Sequence, residues 1–252
     1  MKGLSVVILS KEDEDVIGDA IKSAIGFAED VVVVDSNKND KTRLISEKLK
    51  ARVIKHNFKD FSDQRNYGIL NVLTPWVLYL DSDERVTSEF KAEVEKIIKN
   101  YDEETGFGGF YINRKTYYYG QDWNFTDKVQ RLFYRKKFIE WRGTVHETPI
   151  VKGGFGQIES PILHFTHRNL SQMVRKTNEW SEYEARLRLS GNHPALAPWR
   201  FLRVMVTEFF NSYIKHKGYK NGTYGFIEAM YQSFSIFITY AKLWELQEKK
   251  KG

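Results

Sequence analysis

Two stretches of this chain, Val31-Val32-Val33-Val34 and Val77-Leu78-Tyr79-Leu80, are apolar without interruption. A strand with one wet face alternates apolar and polar residues. An unbroken run therefore implies burial on both faces, the condition of a parallel sheet covered by helices on either side. The surrounding sequence agrees. Short β-rich runs at Leu4 to Leu9, Asp30 to Val34, Arg52 to Lys55 and Trp76 to Leu80 alternate with helix-patterned segments at Val16 to Phe27, Lys41 to Leu49 and Asp60 to Leu73. That βαβαβαβ order predicts a three-layer α/β/α domain with a mainly parallel sheet and right-handed crossovers. Ligands of such sheets gather outside the carboxyl ends of the strands. Three polar clusters fall there: Ser10-Lys11-Glu12, Asp35-Ser36-Asn37 and Asp81-Ser82-Asp83-Glu84.

From Gly106 the texture changes to shorter alternating runs, Gly109 to Arg114 and Arg131 to Arg135, which predict antiparallel strands wrapping the site. Gly153-Gly154-Phe155-Gly156 follows no βα pattern and reads as a hairpin turn, not a phosphate loop. Beyond His164 the chain becomes helical, with Asn169 as the expected cap of a helix to Arg188, breaks at Pro194 and Pro198, then helices over Trp199 to Lys217 and Gly222 to Lys249. The expected organisation is one α/β domain over residues 1–168, its nucleotide-binding half 1–105 and acceptor-side half 106–168, followed by a helical, basic extension over 169–252.

A chain of 252 residues with 41% hydrophobic and 29% charged residues can bury a substantial core. Its 17 Phe, 14 Tyr and 6 Trp suit a bulky core first, and sugar stacking or a membrane interface second. With no cysteine, thiolate metal sites and disulfides are excluded, so any metal would be held mainly by oxygen ligands. The apolar start Leu4 to Leu9 is too short for a signal peptide, and no run reaches the roughly 20 apolar residues of a membrane span. A cytoplasmic protein is expected. The net charge of +6 asks for an anionic partner. Arg200, Arg203, Lys215, Lys217, Lys220 and Lys249 to Lys251 border apolar helical faces, a distribution suited to the anionic inner face of the cytoplasmic membrane. Nucleic acid fits less well, because carboxylates occupy the strand ends where a polyanion would dock.

Asp81, Asp83 and Glu84 repel one another unless a cation compensates them. Capping the helix that begins near Ser88 would account for one acid, not three. Asp81 and Asp83, two residues apart on a bend past a strand, can aim oxygens at one region, and Mg²⁺ or Mn²⁺ prefers such ligands. A divalent ion there would suit the transfer of a group from a diphosphate leaving group. A nucleotidyltransferase uses similar carboxylates but opens on a glycine-rich basic loop, whereas Ser10 to Glu14 is acidic. A non-enzymatic basic binding protein is the remaining alternative.

These residues resemble family 2 glycosyltransferases of the GT-A fold, a Rossmann-like nucleotide-diphospho-sugar transferase architecture, near the branch of lipopolysaccharide core glucosyltransferases. Asp81-Ser82-Asp83 resembles the DxD motif, Val31 to Ser36 the second strand, Ser10 to Glu12 the first loop, and Ser62 to Gly68 the helix after the third strand. Islands in the second half include Arg131-Leu132-Phe133, Val145-His146-Glu147, His164 and Tyr240 to Trp244. Where the family often carries a glycine after the second-strand aspartate, this chain has the more polar Asp35-Ser36-Asn37-Lys38-Asn39-Asp40. The resemblance implies a metal-dependent inverting transfer of a sugar, from a UDP-hexose, to a glycan or lipid-linked acceptor such as lipopolysaccharide core. It assigns Ser10, Glu12, Asp35, Arg65 and Asp81 to the nucleotide, Asp83 to Mn²⁺ or Mg²⁺, and Glu147 to the general base. His146, Asp122, Asp127 and Arg131 become candidates for acceptor or phosphate contacts, Asp122 and Asp127 also as rivals for the base, and His164 and His167 for the diphosphate.

Overall fold

The computed structural model describes residues 3–144 and 147–250. Val145 and His146 lie outside the described residues. The chain forms two compact units, one of residues 1–116 and 126–165, the other of residues 117–125 and 166–252.

In the first unit, strands β1 (Leu4–Ser10), β2 (Asp30–Asp35), β3 (Arg52–Lys55) and β4 (Trp76–Asp81) alternate with helices α1 (Ile17–Ala24), α2 (Lys41–Lys48) and α3 (Phe61–Leu70). After β4 come β5 (Glu84–Val86), α4 (Ser88–Lys99), β6 (Gly109–Tyr118), β7 (Gln121–Tyr134), β8 (Phe138–Arg142), β9 (Thr148–Val151) and β10 (Phe155–Thr166). The main sheet runs β3-β2-β1-β4-β7-β6-β10-β5. Its first four strands are mutually parallel, and β7 joins β4 antiparallel.

Alternation along the parallel strands divides the core in two. Val6, Ile8, Val31, Val33, Leu78 and Leu80 face α1 and α4, while Val7, Leu9, Val32, Val34, Val77 and Tyr79 pack against Ile69 of α3 and Trp141 of β8. Both faces are dry, which is why the valine run needs no polar alternation. Each fully buried aliphatic side chain here stabilises the fold by about 1.5–3 kcal/mol. The second layer is thin where α3 crosses the sheet. A β-carbon at Gly68 would stand 2.6 Å from Val7 Cγ1, so only glycine lets the helix sit this close.

Helix ends follow local chemistry. Asp60 accepts from the Asp63 N–H at the start of α3, and Thr87 accepts from the Phe90 N–H at the start of α4. Thr87 therefore caps α4, and Asp81, Asp83 and Glu84 do not. The expected hairpin at Gly153 and Gly154 is a turn of another kind. It joins β9, paired with β8 in a separate two-stranded sheet, to β10 of the main sheet, so the flanking strands are not partners. The turn chemistry was legible; the change of sheet was not.

The second unit contains α5 (Leu170–Ser190), α6 (Pro198–Phe210) and α7 (Gly222–Lys249), with the segment 117–125. Asn169 caps α5 by accepting from the Gln172 N–H. The expected helix from Trp199 to Lys217 is α6 followed by one π-helical turn, Asn211–Lys215, and then a 3-10 turn, Gly218–Asn221. Tyr231 of α7 pairs with Thr177 Oγ1 at 2.6 Å and donates to the Met173 carbonyl, which fixes α5 on α7. Ser233 donates to the Met205 carbonyl and Phe237 meets Phe201, which fixes α6 on α7. Gly225 touches the 3-10 turn so closely that a β-carbon would lie 1.8 Å from the Gly218 carbonyl oxygen. Among the described residues no helix is long and apolar enough to cross a membrane.

Candidate active site

The register of the parallel strands brings the three polar clusters level. Ser10 pairs with Asp35 across β1 and β2, and Leu9 pairs with Asp81 across β1 and β4. Asp35 is fully buried, with the Lys55 ammonium 2.7 Å from Oδ2. Its Oδ1 accepts from both the backbone and the side-chain amide of Asn37. That amide also meets Ser10 Oγ and Thr42 Oγ1, while its oxygen accepts from the Glu12 N–H. Asn37 thus ties the first-strand loop to the second, and Glu12 is held there with a left-handed backbone, φ +58°. The sequence assigns nucleotide roles to Ser10, Glu12 and Asp35 and places Asn37 in the polar cluster after the second strand, but with no role of its own.

Asp81 lies at the centre of a buried charge network. Arg65 of α3 donates to its Oδ1 at 2.9 Å and Arg131 of β7 to its Oδ2 at 2.6 Å. Burial pushes the Asp81 carboxyl up, but Arg131, Arg65 and Arg114 overturn that and hold it well below the usual carboxylate range. Arg65 is 2% exposed and also donates through Nε to Glu147 Oε1 at 3.0 Å. Burial alone would lower the Arg65 pKa; Asp81 and Glu147 raise it instead. Its guanidinium lies over the rings of Trp141 and Tyr79, at 5.0 and 5.5 Å. One arginine therefore joins the aspartate of the first motif half to the acid of the second, residues 66 positions apart in the chain (147 − 81).

Glu84 is fully buried. Its Oε2 accepts from the Asp81 N–H and its Oε1 from Arg114, so it orders the turn after β4. Arg114 grips Asp127 with two bonds, Nε to Oδ1 at 3.0 Å and Nη2 to Oδ2 at 2.5 Å. Asp127 is thus taken up by a structural ion pair. Arg114 was not singled out from the sequence, since nothing local distinguishes it from any strand arginine. Asp122 lies in the segment 117–125 of the other unit. His167 also belongs to that unit, with Nδ1 3.0 Å from Glu228.

Asp83 meets a partner from far along the chain. The short strand β5, not foreseen in the sequence, pairs antiparallel with β10 and sets His164 opposite Glu84. The Phe165 N–H donates to the Asp83 carbonyl, and His164 Nε2 comes within 3.5 Å of Asp83 Oδ2. A carboxylate and an imidazole are donor types that Mg²⁺ or Mn²⁺ accepts, and Asp83 and His164 would be the residues to hold such an ion. Among the described residues no group of three or more protein ligands surrounds a single point. Ser82 donates to Asp13 at 2.7 Å, anchoring the motif's middle residue to the first loop.

A mainly parallel sheet with its acids at the carboxyl ends, continued by an antiparallel half that returns a histidine to them, defines a GT-A glycosyltransferase fold. The sequence profile of glycosyl transferase family 2 matches residues 5–159, well over half of the chain, and the chain belongs to that family. An uncharacterized glycosyltransferase of Rickettsia typhi is 25% identical, the match covering 100% of this chain and 90% of that one. A lipopolysaccharide core biosynthesis glycosyltransferase of Rhizobium meliloti is also 25% identical, over 96% of this chain and 92% of its own. Among solved structures, S. aureus TarS 1–349 is similar at 13% identity and a TM-score of 0.45, covering 99% of this chain and 92% of that one. Glucosyl-3-phosphoglycerate synthase from Mycobacterium tuberculosis, solved with Mn²⁺, UDP and glucosyl-3-phosphoglycerate, is similar at 14% identity and a TM-score of 0.44, covering 68% of this chain and 75% of that one.

Proposed function

We propose that this glycosyltransferase takes a UDP-hexose, requires Mn²⁺ or Mg²⁺, and transfers the sugar with inversion to a glycan or lipid-linked acceptor such as lipopolysaccharide core. The observation that carries the reading is the pairing of Asp83 with His164 beside Asp81, at the carboxyl end of the central parallel strand. Asp83 and His164 would hold the ion, and the ion would offset the charge developing on the departing diphosphate. Asp81 would meet the ribose, and Ser10, Glu12, Asp35 and Arg65 would shape the nucleotide's bed. For Asp35 and Arg65 that role is indirect, because their charged groups are already engaged by Lys55 and Asn37 and by Asp81 and Glu147, and Asp81, held by Arg65 and Arg131, would meet the ribose only through the lone pairs those bonds leave. Glu147, whose Oε1 accepts from Arg65 Nε, would take the proton of the attacking hydroxyl. Direct attack on the sugar carbon inverts its configuration. Family membership favours glycosyl transfer over nucleotidyl transfer and over a non-enzymatic binding protein.

Lipopolysaccharide core as acceptor draws support from the Rhizobium relative's name. Peripheral contact with an anionic membrane draws support from α6, none of whose residues is buried. Trp199, Leu202, Val206 and Phe210 recur at helical spacing on its exposed side, and Arg200 and Arg203 lie over the Trp199 ring. Residues 198–227 hold five bases and one acid, Glu208, a net charge of +4 (5 − 1).

Titration calorimetry with UDP, with and without Mn²⁺, tests the donor site. Heat is expected only with metal, and Asp83→Ala and His164→Ala should each remove it and cut turnover at least a hundredfold. Full turnover in Asp83→Ala would sink the assignment.

A further inference from the structure

The aromatic segment Tyr117 to Phe125 is conspicuous in the sequence. It belongs to the helical unit and walls a cleft there of about 210 Å³. Phe125 and His216 stand at this cleft with ring centroids 5.6 Å apart, and Phe125 is 37% exposed. Tyr118 continues the wall, its ring stacked on His167 at 4.7 Å and backed by buried Trp123 at 4.8 Å. The polar lining is acidic and amidic. Glu228, 1% exposed, takes the Gln232 amide at 2.6 Å, and Glu208 lines the cleft with them.

The backbone supplies a second observation. The chain leaves α6 through the π-helical turn Asn211–Lys215, and Ser212 within that turn and His216 just after it both line the cleft. A π-turn gives up regular hydrogen bonding and is kept mostly where it places side chains for function.

From this combination we infer that the cleft binds a saccharide that carries no negative charge, a neutral hexose or amino sugar. Aromatic faces take the C–H face of a pyranose, and carboxylate and amide oxygens accept from its hydroxyls. Among the described residues the lining holds two glutamates and no lysine or arginine, with His216 as its one basic group, which opposes a phosphorylated or carboxylated sugar. That this saccharide is the acceptor rests on the function proposed above; its binding does not.

Saturation-transfer NMR on the full chain carrying Asp83→Ala, which silences the donor site, tests the binding alone. Methyl α-glucoside, methyl α-mannoside and glucosamine should include a saturable ligand in the millimolar range. Glucuronate and glucose 6-phosphate should bind at least about tenfold more weakly. Phe125→Ala and Gln232→Ala, each checked for a native melting temperature, should weaken the neutral ligand about tenfold, and Glu208→Gln should restore binding of glucuronate. No saturable neutral ligand, or equal binding by the folded Phe125→Ala protein, would overturn the inference. In the active enzyme, Phe125→Ala should raise KM for acceptor with kcat little changed. An unchanged KM alongside lost saccharide binding would remove the acceptor role and leave the donor assignment standing.

Discussion

In the sheet unit Glu84 has no exposure, and Arg65 and Arg131 have 2% and 6%. In the helical unit Leu202, Phe210 and Trp199 stand 68%, 57% and 56% exposed. One region draws charge inward and the other leaves apolar surface outside. Buried charges are tolerable only when each has a counter-charge in place, so the sheet unit behaves as a fixed electrostatic frame. Exposed apolar side chains cost the helical unit little stability and are available to something else. Stability and binding should therefore respond oppositely to substitution in the two units.

The largest effect is expected at Arg65. Arg65→Met leaves Asp81 and Glu147 without their shared cation, and urea unfolding should show a loss of about 3–5 kcal/mol. A loss below about 1 kcal/mol would mean that Arg131 and water suffice, and the frame would be looser than described. Gly225→Ala comes next, since its methyl would meet the Gly218 carbonyl. A cost of about 3 kcal/mol is expected, with hydrogen exchange accelerating in α7 and not in β1 to β4. Asn37→Ala should cost about 2 kcal/mol, because buried Asp35 and the part-buried Glu12 N–H each lose a partner.

Asp81 sharpens the comparison through pH. Its carboxyl is held below the ordinary range in the fold, so the native state binds fewer protons there than the unfolded chain. The contribution is fully present above the unfolded value of about 3.9 and is lost as pH falls below it. Unfolding free energy measured across acidic pH should decline below about pH 4, and Asp81→Asn should flatten that decline. The smallest effect belongs to α6. Leu202→Gln should change stability by no more than about 0.5 kcal/mol, yet reduce flotation with anionic vesicles. Unaltered flotation would detach the exposed face from any membrane role.

The parallel half of the fold was legible because burial on both faces writes itself into every residue of a strand, as at Val31 to Val34. Caps at Asn169 and turns at Gly153 and Gly154 were legible for a similar reason, since their chemistry spans a few residues. The site was legible in part. Asp35, Asp81 and Asp83 announce themselves by following apolar runs, whereas Asn37 is marked only by its place in the same polar cluster and Arg114 carries no local mark. Glu84 to Val86 was too short to read as a strand, and without that strand nothing in the sequence connects His164 to Asp83.

The sequence by itself determined the family, the order of the parallel strands' segments and the acids at their ends, because these depend on periodicity and on neighbours within a few positions. Only the tertiary structure decided which charges compensate which: Arg65 between Asp81 and Glu147, Arg114 on Asp127, Asn37 on Asp35, and His164 beside Asp83. Those pairings join strands and helices distant in the chain through register and packing. An ion pair's energy falls with distance in space, and separation along the sequence says almost nothing about that distance.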